Sequence, residues 1–319
     1  MRLALMTEPQ QGLSYADVLA AARIAEAVGL DGFFRSDHYQ SFPGPEGEPT
    51  TDAWATLAGL ARETTRIRIG ALVSPVTFRL PGPFAKLTAT VDEMSGGRLE
   101  VGLGAGWNEE EHAQLGIPFP SLGERYDMLE EAVEILHGLW TQPDGWRFDG
   151  RRWRVDGSLF HPRPSELRDD GSHPTIILGG SGRPRLAKLV ARFADEFNLT
   201  SASPQGALDA FARIEAACHE TGRDPATVTR SAMTGVLIAE TEAELRDRIA
   251  VLLAFTDDGD GADADRWLAE RSSRWIIGTL DQAGERLRAF EEAGVQRLML
   301  QDFIPRDLDH VRLMGRLGT

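Results

Sequence analysis

Asp37 and His38 place a carboxylate beside an imidazole, directly after the run GFFRS, whose centre is apolar like that of a buried strand. Histidine changes charge near neutral pH, and a neighbouring carboxylate can orient it, so the pair suits proton transfer. Asp-His pairs also cap helices and fix loops, which is the ordinary alternative. The position at a strand end favours function, and we interpret both residues as catalytic.

A second candidate segment is ALVSPVTFRLPGP, at residues 71–83. Pro75, Pro81 and Pro83 cannot donate ladder hydrogen bonds, so the backbone must bulge or turn there. An irregular backbone at a strand end can support an aromatic ring or expose amides to it. The ordinary alternative is a proline-rich loop.

Two glycine-rich segments end further apolar runs, GLGAGWN at 102–108 and GGSG at 179–182. In the first, small residues allow a flat ring or a phosphate close to the backbone, while Trp107 and Asn108 supply a wall and an amide. The second opens a basic helix, and a glycine-rich turn at a helix N-terminus is a ready anion site. We favour phosphate binding there over a flexible turn with merely solvated basic residues.

Other chemistry-bearing patterns are missing from the sequence. It contains no HExxH spacing, no GxSxG elbow and no Walker loop, and we predict no metal site. We expect the EEH run at 110–112 to lie exposed at a helix start, and the acidic pairs at 92–93 and 257–258 to be surface carboxylates. Cys218 is the only cysteine, and its amphipathic surroundings predict a buried structural thiol.

The elements that must position these residues alternate between short apolar runs and amphipathic helical segments. The first helix, for example, should begin after Ser14, with Asp17 in its first turn. The predicted strands are RLALMT, DGFFRSD, RIRIGALVS, RLEVGLGAG, TIILGG, EFNLTS, SAMTGVLIA and RLMLQD.

Eight strands that each precede helical sequence predict a (β/α)8 TIM barrel, in which function collects at the carboxyl ends of the strands. A doubly wound open sheet is the rival architecture. No GxGxxG pattern follows the first strand, and this weakens that rival.

Two segments break the alternation and predict insertions after strand four and before strand eight. Residues 142–173 are rich in Arg, Asp, Trp and Pro, and WRFDGRRWRV within them predicts a hairpin that turns at Asp149-Gly150. Residues 256–273 are acidic and rich in Gly and Ala, which predicts a mobile loop. Such insertions often cover the active face of a barrel, although a plain surface excursion is the alternative.

Length and charge narrow the class of protein. The 319 residues suit one barrel domain over 1–319, and 42% hydrophobic residues suffice for a large core. A net charge of -15 argues against nucleic acid or an anionic membrane as the main partner. No apolar run approaches the roughly 20 residues that span a bilayer, and the apolar N-terminal stretch is too short for a signal peptide. We expect a soluble, cytoplasmic protein.

The strand-end motifs, in this order, resemble the luciferase-like monooxygenase superfamily of barrel flavoproteins. The most specific segment is GGRLEVGLGAGWNEEEHAQLGIPFPSLGERYDMLEEAVEILHGLW, residues 96–140. Supporting segments, which together cover nearly the whole chain, are DGFFRSDH, SPVTFRLPGPFAKLTATVDEMSGGR, PTIILGGSGRPRLAKLVARFADEFN and IIGTLDQAGERLRAFEEAGVQRLMLQ.

Three shorter segments resemble the branch that uses coenzyme F420, a deazaflavin: IPFPSLGERYDMLEEA, GGSGRPRLAKLVARFADEFNL and GRDPATV. This branch moves a hydride between C5 of the deazaflavin and an organic substrate. The resemblance therefore implies F420 as cofactor and a small molecule as substrate. The FMN-dependent branch shares much of the same frame, so FMN is the alternative cofactor. Oligomers are common in this fold family, and we expect a homodimer.

The resemblance assigns roles to individual residues. Asp37 and His38 would lie near the ring and the substrate, with His38 as a proton donor or orienter. The Ala71–Leu72 bond matches the family's non-prolyl cis peptide behind the ring, and Ser74 would contact the ring edge. The remaining cofactor-binding candidates are Gly106, Trp107 and Asn108 at the ring and ribityl wall, and Gly179, Gly180 and Ser181 at the phosphate turn.

The sequence departs from the F420-dependent sugar-phosphate dehydrogenases of this superfamily. Those enzymes carry an acidic glutamate in the strand-four loop, where this chain reads Trp107-Asn108-Glu109. Their sugar-phosphate-binding lysines also have no recognisable counterpart. Sugar-phosphate oxidation is therefore not the expected reaction.

Three hypotheses follow from these observations. The first is an F420-dependent oxidoreductase acting on a small organic molecule. The second is an FMN-dependent monooxygenase that uses reduced flavin and oxygen. The third is a non-catalytic binding protein on the same fold, which the intact strand-end motifs disfavour.

Overall fold

The computed structural model describes residues 1–168, 170–255 and 264–317. The strands of this part of the chain, in order, are β1 (Arg2–Thr7), β2 (Gly32–Arg35), β3 (Arg68–Pro75), β4 (Leu99–Gly104), β5 (Trp146–Asp149), β6 (Arg154–Ser158), β7 (Thr175–Gly180), β8 (Glu196–Leu199), β9 (Thr229–Ala239), β10 (Ile276–Thr279) and β11 (Arg297–Asp302). The helices are α1 (Tyr15–Ala27), α2 (Ala53–Glu63), α3 (Pro81–Ser95), α4 (Glu109–Gln114), α5 (Leu122–Thr141), α6 (Pro164–Leu167), α7 (Pro184–Phe193), α8 (Pro204–Thr221), α9 (Glu242–Phe255), α10 (Ala264–Arg271), α11 (Leu280–Glu292) and α12 (Leu308–Met314).

Eight parallel strands of the described chain close into a barrel. Their order around the ring is β11-β1-β2-β3-β4-β7-β8-β9, and β9 pairs with β11 to complete it. This closure confirms the predicted (β/α)8 barrel and rules out the open doubly wound sheet. It also brings the carboxyl ends of the strands to one face of the molecule.

Side chains at the helix starts explain where several helices begin. Ser14 caps α1 and forms a capping box with Asp17, which confirms the predicted helix start. Asp52 accepts the Ala55 backbone N–H at the start of α2. Ser121 forms a further capping box at the start of α5. Each cap satisfies backbone donors that a helix cannot pair internally.

The predicted hairpin forms between β5 and β6, which pair in antiparallel fashion. Glu131 of α5 holds its turn, because its carboxylate accepts the backbone N–H groups of Arg151 (2.8 Å), Arg152 (3.1 Å) and Trp153 (3.1 Å). A buried carboxylate on α5 therefore fixes the turn of the hairpin that the sequence predicts.

The segment before the last barrel strand differs from the prediction of a loop. Residues 264–271 form α10, where Trp267 is buried against Leu245 and Leu252 of α9. A short ninth strand, β10, follows and pairs with the end of β9. The apolar anchor Trp267 explains the helix, because it gives an otherwise polar segment one buried face. Residues 256–263 of the predicted loop lie outside the described residues.

The structure confirms one prediction about a buried side chain and overturns another. Cys218 is buried in the core, as predicted. The prediction of surface carboxylates is wrong for Asp92, which is buried and paired with Arg168 at 2.6 and 3.0 Å. Arg168 lies 76 residues away along the chain, so local sequence does not reveal the pairing. The acidic pair at 257–258 lies outside the described residues.

A cluster of buried charges closes the amino-terminal end of the barrel. The Arg297 guanidinium lies 2.5 Å from a carboxylate oxygen of Glu100, 3.2 Å from one of Glu196 and 2.7 Å from one of Asp31. Although burial opposes the charge, these carboxylates raise the pKa of Arg297. Burying a charge is costly unless it is paired, so the members of this cluster depend on each other.

The helices of the described chain include none that is both long and apolar enough to cross a bilayer.

Replacing Arg297 tests the charge cluster. Arg297→Met leaves the Glu196 carboxylate buried without its cation and leaves Glu100 with Arg68 alone, and we expect the free energy of unfolding to fall by about 3–5 kcal/mol. Urea unfolding followed by circular dichroism measures the loss. The matched control is Arg312→Met, which breaks an exposed pair with Asp309 and should change stability by at most about 1 kcal/mol. Equal losses in the two variants would contradict a structural role for the cluster.

Candidate active site

A cavity of about 450 Å³ opens at the carboxyl ends of the barrel strands. Every barrel strand, or the loop after it, contributes to its wall, as active sites in this fold require. The wall residues include Met6 of β1 with Glu8 after it, Ser36 and His38 after β2, Leu72 and Val73 of β3, Gly104 of β4 with Gly106 and Trp107 after it, Gly179 and Gly180 of β7, Ser201 after β8, Met233 of β9, and Gln301 and Phe303 at β11.

The floor of the cavity is apolar. Met6, Leu72 and Met233 line it and pack on a buried cluster inside the barrel that includes Phe34 and Met299. Because the barrel interior is filled with side chains, the cavity is a shallow pocket over a packed core. An apolar floor of this kind accepts the face of a flat ring.

The shape of one wall depends on an irregularity in β3. The ladder between β3 and β4 shifts register between Ala71 and Ser74, and Val73 lies in the shifted part. A Cβ at Gly104 would lie 2.6 Å from a Val73 methyl carbon, and a Cβ at Gly179 would lie 2.7 Å from the other. Strand β4, which pairs with β3, and strand β7, the next one in the barrel, therefore both need glycine where they face Val73, and their backbones form part of the cavity wall.

The predicted cis peptide is displaced by one residue. The structure has its non-prolyl cis bond at Leu72–Val73, so the prediction of Ala71–Leu72 is wrong. Ala71 is still in regular register with both neighbouring strands, and the irregular part of β3 begins after it. Ala71 accordingly lies in the core between barrel and helices, while Leu72 lines the cavity.

The structure brings six of the sequence-predicted site residues together in the cavity wall. They are His38, Leu72, Gly106, Trp107, Gly179 and Gly180. Asp37, Ala71, Ser74, Asn108 and Ser181 lie outside the described lining.

The residues outside the lining have other contacts. Ser74 donates to an Asp37 carboxylate oxygen at 2.6 Å and accepts the indole N–H of Trp54 at 3.0 Å. Asn108 caps α4 by accepting the Glu111 backbone N–H at 3.2 Å. Ser181 is exposed, and its carbonyl accepts a hydrogen bond from Arg213 at 3.2 Å. These residues support the loops that surround the cavity, which form its rim, and they do not face the cavity itself.

Arg79 holds the buried Asp37 carboxylate. Its guanidinium donates to both Asp37 oxygens, at 2.5 and 3.2 Å, in a bidentate pair. It also donates to the Tyr39 hydroxyl at 2.7 Å and to Asp52 at 2.9 Å. Asp37 therefore anchors the loop after β2, and Arg79, which sequence reasoning missed, joins this loop to the loop after β3. The available signal was a lone arginine in an otherwise apolar, proline-rich segment.

The environment of the Arg79 network shifts the pKa values of Tyr39 and Asp52. Burial, above all, raises the pKa of the Tyr39 hydroxyl, which donates to Asp52 and so stays protonated. Burial alone would also raise the pKa of Asp52, but the Ala55 N–H, Tyr39 and Arg79 lower it. The rim network is therefore a fixed arrangement of one cation, two carboxylates and a neutral phenol.

Glu111 orients His38. One Glu111 carboxylate oxygen lies 2.9 Å from His38 Nδ1, and the other accepts the backbone N–H groups of Tyr39 and of Gln40, the latter at 3.1 Å. An Nδ1–H that donates to the carboxylate leaves Nε2 to accept or donate towards the cavity. Although burial opposes it, hydrogen bonding to His38 and to these amides lowers the pKa of Glu111.

This arrangement corrects the expectation that the EEH run at 110–112 is exposed. Glu110 is exposed, but Glu111 and His112 are buried. His112 Nε2 lies 2.6 Å from the Thr77 hydroxyl, and its Nδ1 lies 2.5 Å from the Asn108 carbonyl. One face of the short helix α4 thus packs on the loops after β2 and β3, a contact that the acidic sequence of the helix conceals.

A polar part of the cavity wall, which sequence reasoning missed, lies around the carboxyl end of β1. Glu8 accepts hydrogen bonds from the amides of Gln10, at 2.7 Å, and Gln301, at 2.5 Å. Ser36 donates to the Gln10 side-chain oxygen at 2.5 Å. The signal was the polar run EPQQ directly after the first strand. These side chains place donors and acceptors at the edge of an apolar pocket, which is how such sites orient a ligand.

Comparison with known proteins shows which sequences this chain is similar to. A sequence profile described as luciferase-like monooxygenase matches residues 1–297. An F420-dependent glucose-6-phosphate dehydrogenase of Beutenbergia cavernae is 32% identical over 187 residues, which cover 58% of this chain and 52% of that enzyme. The chain thus matches about half the length of this relative.

Solved structures share the whole fold. An F420-dependent secondary alcohol dehydrogenase in complex with an F420-acetone adduct superposes with a TM-score of 0.80 and 19% identity, over 99% of this chain and 97% of that one. The oxygenating constituent of 3,6-diketocamphane monooxygenase from Pseudomonas putida, in complex with FMN, gives a TM-score of 0.73 and 17% identity, over 99% and 98%. At these identities the likeness establishes the fold alone.

Removing the Glu111 charge tests its role in a pH-dependent way. At pH 7 we expect Glu111→Gln to lower the free energy of unfolding by about 1–3 kcal/mol. Because folding lowers the pKa of Glu111, its contribution is present above the ordinary carboxyl pKa and is lost as the pH falls through the folded pKa. The stability difference from the unaltered protein should therefore shrink towards acidic pH.

Urea unfolding at a series of pH values checks this, with Glu110→Gln on the exposed side of α4 as the control. A difference for Glu111→Gln that stays constant or grows on acidification would contradict the account.

Proposed function

We propose, since this chain belongs to the luciferase-like monooxygenase family, that it is an F420-dependent oxidoreductase that transfers a hydride between the deazaflavin and a small organic molecule. The observation that carries the proposal is the cavity beside Val73, with an apolar floor and a glycine-backbone wall, into which His38 faces. The F420-dependent relative supports the choice of cofactor.

The residues that line the cavity fit a tricyclic ring. Leu72, Val73 and Met233 offer an apolar surface for one face of the ring, while Gly104 and Gly179 leave their backbones uncovered along the edge. The approach of Val73 excludes any larger side chain at those two positions. A flat ligand that lies against backbone needs this combination.

The remaining predicted residues would hold the rest of the cofactor. Trp107 and Gly106 border the cavity beside the ring position, where a ribityl chain would lie. Gly179, Gly180 and Ser181 lead into the N-terminus of α7, where unpaired backbone N–H groups favour a phosphate. Arg183, exposed at that N-terminus, adds a positive charge nearby.

Bound F420 supplies a carbon, C5, that carries the hydride; the protein supplies binding, orientation and proton control. His38 is the group that would donate or accept the proton at the substrate oxygen, since its Nδ1 is held by Glu111. Asp37, which is paired with Arg79, acts as a positioning residue for the loop that carries His38. Glu8 and Gln301 would orient the polar group of the substrate.

Glucose 6-phosphate is not the substrate we propose, although a relative is named for it. Glu109, in the strand-four loop where such an acid would be sought, is exposed and lies outside the described cavity lining. The wall carries His38 and Glu8 but no described lysine or arginine that could bind a sugar phosphate.

The alternative is an FMN-dependent monooxygenase, which the name of the family and the FMN complex on the same fold support. Both cofactors present a tricyclic ring to the same cavity, so direct binding distinguishes them.

Equilibrium titration of the purified protein tests the cofactor. We expect F420 to bind saturably, and FMN to bind at least about tenfold more weakly, when ligand fluorescence is followed. The control ligand is riboflavin, which lacks the phosphate and should bind more weakly still. A protein that purifies yellow, with FMN bound in preference to F420, would transfer the proposal to the monooxygenase alternative.

His38→Gln tests the proton donor. With any carbonyl or alcohol that supports F420 turnover, we expect kcat to fall by about 100- to 10,000-fold, because general acid–base catalysis contributes that much. The F420 Kd should change far less than kcat, because His38 is assigned to the substrate oxygen and not to holding the cofactor. His161→Gln, at an exposed histidine paired with Asp144, is the matched control. Unchanged turnover in His38→Gln would exclude the assigned role.

A further inference from the structure

A second chamber adjoins the candidate active site. Its volume is about 490 Å³, and it lies between the loop after β2 and the region of α10 and β10. Phe42, Pro43 and Phe303 line both cavities, so the two are adjacent. The proposed cofactor accounts for the first cavity and leaves the second without an assigned occupant.

The walls of this chamber are aromatic. The rings of Trp275 and Phe303 stack with centroids 5.2 Å apart and planes 6° apart. Trp267 meets Trp275 edge to face, with centroids 5.3 Å apart. A stacked pair held by a perpendicular third ring makes a rigid, flat surface, which suits stacking of another planar group.

The barrel itself fixes the position of Trp275. A Cβ at Gly235, on β9, would lie 2.2 Å from the nearest atom of the Trp275 indole. The indole therefore occupies the space of a missing side chain on a barrel strand. This close packing holds the aromatic wall in register with the carboxyl end of β9.

The charged groups that line the chamber are one paired arginine and two glutamates. The Arg271 guanidinium lies over the Trp267 ring, 4.5 Å from its centroid, and 3.6 Å from the Glu270 carboxylate. Its charge is thus paired, and its flat face supports the indole. Glu46 and Glu110 also line the chamber and bring further negative charge. An anionic substrate would meet repulsion here.

Phe42 connects the chamber to the chemistry. Its ring lies 4.6 Å from the His38 ring and 5.4 Å from Trp107, in edge-to-face contacts. A molecule stacked on Trp275 would therefore extend past Phe42 towards His38.

We propose that this chamber binds the non-reacting part of the substrate, and that the substrate is an uncharged molecule with a flat aromatic or conjugated ring next to its reacting carbonyl or alcohol. The inference rests on the proposed function, since it takes the first cavity as the place of the cofactor and of hydride transfer.

Three ketone probes of similar size test the class: acetophenone, cyclohexyl methyl ketone and benzoylformate. Their Kd values would be measured by isothermal titration calorimetry on the F420-saturated protein. We expect acetophenone to bind at least about threefold more tightly than the cyclohexyl ketone, because only its ring is flat, and more tightly than the anionic benzoylformate.

Trp275→Leu should raise the acetophenone Kd by about three- to tenfold, the range that a lost aromatic pair gives, while Trp275→Phe should restore most of the affinity. The F420 Kd should stay unchanged in both variants, because Trp275 does not line the first cavity. Trp153→Leu, on the β5–β6 hairpin, is the control.

The F420 titration of the same samples separates the two claims. If the unaltered protein does not bind F420, the proposed function fails. If F420 binds normally but acetophenone does not bind, or binds equally well to Trp275→Leu, this inference alone is overturned. Tighter binding of benzoylformate or of the cyclohexyl ketone overturns the substrate class.

Discussion

The buried carboxylate of Glu111 is the contact on which the geometry of the candidate site depends. It lies on the short helix after β4 and accepts three hydrogen bonds from the loop after β2, one of them from His38. Two rim loops that are distant in sequence thereby become one unit. The carboxylate thereby fixes the orientation of His38, whose ring also contacts Phe42, a residue that lines both chambers.

The interior of the barrel changes along its axis, and this explains why the candidate site lies at the carboxyl end. The amino-terminal end is closed by Arg297 and the carboxylates paired with it, and the middle is filled by apolar side chains such as Phe34 and Met299. At the carboxyl end, the irregular part of β3 brings Val73 against two glycines and leaves backbone at the wall. Packing and charge pairing thus stabilise the frame away from the site.

Most of the frame could be predicted from local sequence. Apolar runs of strand length and a helix cap such as Ser14 predict the barrel, because these signals act over a few residues. Contacts between distant segments could not be predicted in this way. Glu111 lies in an acidic run that looks exposed, and its partner His38 is 73 residues away. The prediction places the cis bond one residue too early, because the start of the irregularity in β3 depends on how β3 pairs with β4.

A crystal structure of the protein in complex with F420 would test the central claim most directly, namely that the cavity at the carboxyl ends of the strands holds the deazaflavin ring. We predict that the ring lies against Leu72 and Val73, with its edge along the backbone of Gly104 and Gly179 and with His38 facing the space between the ring and the aromatic chamber. A ring bound elsewhere, or one that displaces His38 from Glu111, would contradict the account.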